Sequence, residues 1–163
     1  MVYGAIDEKS EKGYTCLKRV FGAIQNKQID YNWLLTYVDC YPQNPIFDEL
    51  LNKEYCWLSG DELTSIVQKE DFQWVWAVLS GFDKDIPLLE VLIKYKLPYA
   101  DGYKGFWEDP ISIQHPLASI EIVPWDSSFV LIFSKQKEIV DNFMKAFPLS
   151  EDMELYNTKW KNI

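Results

Sequence analysis

Phe72-Gln73-Trp74-Val75-Trp76-Ala77-Val78-Leu79-Ser80-Gly81-Phe82 is the stretch that decides the architecture. With the two-residue period of a strand, Phe72, Trp74, Trp76 and Val78 fall on one face, and Val75, Ala77 and Leu79 on the other. Both faces are apolar, so this strand is expected to be central in a sheet covered on both sides. Glycine and the charged turn Asp83-Lys84-Asp85 close it.

Working outward, a second strand signal decides the sheet type. Ala118 to Pro124 and Phe129 to Phe133 flank Trp125-Asp126-Ser127-Ser128, a hairpin pattern. Ile120 and Ile122 share one side of the first arm, with Glu121 on the other. The second arm is wholly apolar. Adjacent strands without an intervening helix favour an α+β fold with a largely antiparallel sheet over a doubly wound one. Further strands are expected at Val2–Ile6, Tyr31–Tyr41 and Tyr55–Leu58, with Asp7–Gly13 as a polar loop.

Helices follow from the 3.6-residue period. Leu17, Val20, Phe21 and Ile24 form one stripe, and Ile139, Val140, Phe143, Met144 and Phe147 another, stopped by Pro148. Ser59 and Glu62 have capping-box spacing ahead of Leu63, Ile66 and Val67. Ile46–Leu51 suits one or two helical turns. Pro87 suits the first turn of a helix through Tyr95, with Leu88, Leu89, Leu92 and Ile93 inward. Ser150 is placed to cap a final short helix, where Glu151 and Asp152 suit the positive end of the dipole.

A length of 163 residues, 48% of them hydrophobic, with 7 Trp, 10 Tyr and 9 Phe, fits one packed domain spanning 1–163. No repeat or linker divides it. The N-terminal residues lack the basic n-region and apolar core of a secretory signal, and no run reaches membrane-spanning length. Three widely spaced cysteines, Cys16, Cys40 and Cys56, suit buried thiols in a reducing compartment. A soluble, cytoplasmic protein is expected.

The formal charge is −9, and it is uneven: residues 1–30 hold five bases and four acids, whereas residues 31–163 hold 11 bases and 21 acids. This distribution weighs against nucleic acid and anionic membrane as partners, and suits a basic protein partner attracted by steering. Acidity also simply aids solubility.

Motifs for chemistry are absent from the sequence. There is no phosphate loop, no dinucleotide fingerprint and no nucleophile elbow, and a single histidine cannot build the usual His-rich metal sites. No cofactor is expected. His115, held extended before Pro116, reads either as a general base or as a loop histidine satisfied by its neighbours. Asp101, Glu108 and Asp109 could form a carboxylate acid–base pair, or be ordinary solvated loop acids. Asp126-Ser127-Ser128 reads as turn chemistry.

The long irregular stretch 97–116 is the candidate binding element. It carries Tyr99, Tyr103, Phe106 and Trp107 with Asp101 and His115. Tyrosine and tryptophan are favoured interface anchors, although the same rings could instead fold back over the sheet. Three functions are therefore weighed. The first is a non-enzymatic protein-binding module, in its most concrete form an immunity-type protein that neutralises a basic partner. The second is a small hydrolase-like enzyme using His115 and loop carboxylates, and the third a homo-oligomeric scaffold.

Four strings occur in order: Tyr31-Asn32-Trp33, Gly60-Asp61-Glu62-Leu63, Trp125-Asp126-Ser127 and Phe147-Pro148-Leu149-Ser150-Glu151-Asp152. In these the chain resembles a family of small uncharacterised proteins from Bacillus-like Gram-positive bacteria, classed as a domain of unknown function. The resemblance implies a bacterial, cytoplasmic protein, and it brings no catalytic residues with it.

Overall fold

The computed structural model describes residues 1–10 and 15–161. Part of the polar loop expected at Asp7–Gly13 lies outside the described residues. The chain forms a seven-stranded antiparallel sheet in the order β3-β2-β4-β5-β6-β1-β7. The strands are β1 Tyr3–Asp7, β2 Tyr31–Cys40, β3 Tyr55–Ser59, β4 Trp74–Asp83, β5 Ile120–Trp125, β6 Phe129–Ser134 and β7 Glu151–Asp152. Six α-helices occur among the described residues: α1 Leu17–Ala23, α2 Pro45–Leu51, α3 Gly60–Lys69, α4 Leu88–Ile93, α5 Lys137–Ala146 and α6 Met153–Lys161. The α+β class with a largely antiparallel sheet is the fold read from the sequence, and β4 is third of the seven strands, with neighbours on both edges.

One face of the sheet is covered by helices. Leu17, Val20 and Phe21 of α1, Leu63, Ile66 and Val67 of α3, and Ile139, Val140 and Phe143 of α5 are buried against Trp33, Leu35, Leu79, Ile122 and Ile132. The capping box at Ser59 and Glu62 is present, with both reciprocal bonds. The Trp33 indole donates to the Gln28 carbonyl at 2.9 Å, tying the 3-10 turn Lys27–Asp30 to the sheet. A β-carbon at Gly60 would stand 2.3 Å from that same carbonyl and 2.6 Å from Ile29 Cα.

The opposite face is covered mainly by the irregular stretch 97–116, here called the strap. It contains the short 3-10 turn Gly105–Trp107 and is joined by α4 and α6. Phe106 stacks on Phe133 of β6 with centroids 5.8 Å apart. The Thr36 hydroxyl of β2 donates to the Pro98 carbonyl at 2.6 Å, and Asn157 Nδ2 of α6 donates to the Phe106 carbonyl at 3.1 Å.

Several details depart from the periodic expectations. Phe72 and Trp74 lie on the helix-covered face, but Trp76 and Val78 lie under the strap. The cause is a pair of bulges: Thr36 pairs Val78, Asp39 pairs Trp76 and Cys40 pairs Trp74, so each strand carries an extra residue and the alternation slips. In α4, Val91 turns inward while Leu89 and Ile93 are exposed, because so short an apolar run leaves the buried side to its tertiary neighbours. The cap of α6 is Asp152, whose Oδ1 accepts from Glu154 N and Leu155 N, whereas Ser150 donates back to the Phe147 carbonyl. The hairpin turn takes positive φ at Asp126 (46°) and Ser127 (56°), with Ser128 N donating to the Trp125 carbonyl at 2.8 Å, the mirror-image turn that suits strand twist.

Gly60→Ala is expected to destabilise the fold by about 1–3 kcal/mol, because backbone rather than a flexible side chain blocks the new methyl group. Urea unfolding checks this, and an unchanged midpoint would show that the turn gives way freely.

Candidate functional site

The bulge in β2 shapes a cleft beside the strap. Tyr37 takes φ of 48°, a left-handed conformation uncommon for a bulky residue. The irregularity turns Tyr37 outward and places Asp39 beside the strap. Tyr37, Asp39 and Trp76 from the sheet, with Tyr99, Ala100 and Asp101 from the strap, line a cavity of about 550 Å³. The rings of Tyr37 and Tyr99 meet edge to face at 6.4 Å, and Tyr99 meets Tyr103 likewise at 5.4 Å. Trp76 is backed by Trp125 at 4.8 Å. The cleft therefore has aromatic walls and two carboxylates.

Tyr99 is held from beneath. Its N–H donates to Gln114 Oε1 and its carbonyl accepts from Gln114 Nε2, both at 2.9 Å. The backbone N–H of Gln114 in turn donates to Glu121 Oε2 at 3.1 Å. Glu121 is the second residue of β5 and is fully buried. Its cross-strand neighbours are Ser80 of β4 and Phe133 of β6. Glu121 Oε1 and Ser80 Oγ have no protein hydrogen-bond partner. Burial pushes the Glu121 carboxyl up to about 8, the bond from Gln114 opposing this only in part.

The candidate residues of the strap thus separate. Tyr99 and Asp101 stand at the cleft. Tyr103 is half-buried between Tyr99 and Phe106, its hydroxyl pushed up from 10 by burial, with the Glu121 and Glu108 carboxyls adding to the effect. Phe106 is 1% exposed and belongs to the core, so it is not offered to a partner. Trp107 borders a second hollow of about 430 Å³ with Phe129, Tyr156, Asn157, Trp160 and Lys161, where Lys161 is ion-paired with Asp109. Tyr37, Asp39 and Trp76 were not singled out as binding residues from sequence. Their only sequence signal is the acid Asp39 near the end of a strand rich in aromatic and β-branched residues.

His115 is buried and committed at both ring nitrogens. Leu117 N–H donates to Nδ1 at 3.2 Å, so Nε2 carries the proton and donates to the Val91 carbonyl at 2.9 Å. Phe82 and Tyr95 pack on the ring, and burial lowers its affinity for a second proton below the usual 6.5. No nitrogen is left to serve as a base. The three cysteines are buried and free, with burial pushing the Cys40 thiol up to about 12 and Cys56 to about 11. Among the described residues no group of three or more His, Cys, Asp or Glu side chains could hold a metal ion, and no helix is long and apolar enough to cross a membrane.

Compared with protein-family models, curated proteins and solved structures, the chain matches none.

Nitrogen-15 NMR of the imidazole should show the Nε2–H tautomer in the neutral ring, with the second proton taken up only at a pH below that of an ordinary histidine; a mixture of tautomers would refute the two-bond clamp. Glu121 predicts a second, stability-based result. In the unfolded chain its carboxyl ionises near 4.5 and in the fold near 8. Its contribution to stability is therefore complete below 4.5 and is lost as pH rises to about 8. Denaturation of Glu121→Gln across this range should show the variant gaining on the natural protein as pH rises. A constant difference would mean that Glu121 is not protonated in the fold.

Proposed function

We propose that this protein is a non-enzymatic binding module that seats a cationic side chain of a basic protein partner in the cleft between β2, β4 and the strap. The observation that carries this is the lining: Tyr37, Trp76 and Tyr99 as walls, with Asp39 and Asp101 among them, around about 550 Å³. Aromatic faces attract a guanidinium or ammonium group through their quadrupoles, and carboxylates complete its neutralisation. Residues 31–163, with 21 acids against 11 bases, would draw such a partner from a distance. An immunity-type protein that masks a basic toxin in a bacterial cytoplasm is the most concrete form of this function.

The placement of the rings changes the expected mode of binding. Anchors inserted into the partner would have used Tyr103, Phe106 or Trp107, but Phe106 is spent on the core. Here the protein instead supplies the receptacle and the partner supplies the inserted side chain. An enzyme built on His115 has less support, since both ring nitrogens are bonded within the fold.

Calorimetric titration with a short arginine-rich peptide tests this, with a glutamate-rich peptide of equal length as control. The basic peptide should bind, more weakly as salt rises. Replacing Asp39 and Asp101 together by Asn should weaken it about 3- to 30-fold, the combined worth of two partly exposed ion pairs. Equal binding of both peptides, or undiminished binding by the double variant, would sink the proposal.

A further inference from the structure

The cleft wall and the buried Glu121 are joined by a short chain of hydrogen bonds. Glu121 Oε2 takes the backbone N–H of Gln114 at 3.1 Å, and the Gln114 side chain holds Tyr99 at both its N–H and its carbonyl, each at 2.9 Å. Gln114 and Tyr99 sit at opposite ends of the strap, so this one residue closes the strap upon itself above Glu121. The ring that it positions is a wall of the cleft.

We infer that Glu121 is a positioning residue for the cleft: through Gln114 its carboxyl group sets where the Tyr99 ring stands, and ionising that group in place releases this wall. The inference rests on the cleft being the binding site.

The physical reason lies in what surrounds the carboxyl group. From β4 it faces Ser80, from β6 Phe133, and from the strap Gln114 and Tyr103, of which only Tyr103 titrates. No cation faces it from these elements. Oε1 has no donor, and the Ser80 hydroxyl beside it has no partner either. A neutral carboxyl group is tolerable there, whereas an anion lacking further donors in an apolar setting is costly. The strap is the movable cover, since the other side is sheet. Relief comes from lifting it so that water reaches Oε1, and Gln114 carries Tyr99 along. The midpoint near 8 that burial gives Glu121 places this within a mild pH range. Tyr103 is pushed the opposite way from this window, above 10, and stays neutral through it.

The test uses the arginine-rich peptide with its N-terminus acetylated, because a free α-amino group would titrate near 8, whereas the arginine side chains keep their charge between about pH 6.5 and 9. If only the protonated form has an intact wall, affinity falls about tenfold from pH 7 to pH 9. Glu121→Gln keeps the shape without the charge and should bind with the pH 7 affinity throughout. Independently of any ligand, the NMR ring signals of Tyr99 should shift with a midpoint near 8. They should cease to do so in Gln114→Ala, which cuts the link but leaves Glu121 in place. Ring signals indifferent to pH in the natural protein, or an identical pH response in Gln114→Ala, would overturn the inference even if Glu121→Gln failed to fold. Ring signals that move while peptide affinity does not would uphold the positioning of Tyr99 and refute the cleft as the peptide site.

Discussion

A sheet that is apolar on both faces must be covered on both, and the rest of this structure follows from how the second cover is made. Helices α1, α3 and α5 bury one face in the ordinary way, with stripes of Leu, Val, Ile and Phe. The other face is closed mainly by irregular chain, which has no internal ladder to satisfy its backbone. Beyond the backbone bonds of its own turns, the strap is fastened by side chains: Thr36 to Pro98, Gln114 to Tyr99, Asn157 to Phe106 and His115 to Val91. Polar residues that look like chemistry in the sequence are used as fasteners. His115 is the plainest case.

Fastening an irregular cover also explains the aromatic density of the strap. Phe106 fills the space that a helix would otherwise fill, and Tyr103 and Trp107 flank it at 4.7 and 6.2 Å. Toward the end of β2 the cover and the sheet diverge. There the bulges at Tyr37 and Val75 leave a cleft instead of a packed seam. A departure from regular pairing thus creates an aromatic cleft that carries two carboxylates.

Glu121 is an ionisable exception to the apolar rule of the central strands. A charged side chain in a strand is normally solvated, and here the cover removes it from water altogether. The strap and the proton on Glu121 then stabilise one another. The same burial gives the fold a titratable group connected to the cleft wall through Gln114.

Much of the fold was legible in the chain. The stretch from Phe72 to Phe82, the hairpin around Asp126 and Ser127, the box at Ser59 and Glu62 and the stripe from Ile139 to Phe147 are local patterns, each decided by period or by turn chemistry. Of the site, only Tyr99 and Asp101 were visible, as members of an aromatic, acidic loop. Tyr37, Asp39 and Trp76 were not, because a bulge is set by the register between two strands rather than by either strand alone. The burial of Glu121, the inward turn of Val91 and the loss of Phe106 to the core likewise depend on what lies across from them. The sequence by itself determined the elements, their antiparallel class and the acidic character, since these arise from neighbours along the chain. Only the tertiary structure decided which face the strap covers, and hence which aromatic residues and carboxylates line a cleft and which are sealed away, because those choices rest on contacts between residues far apart in sequence.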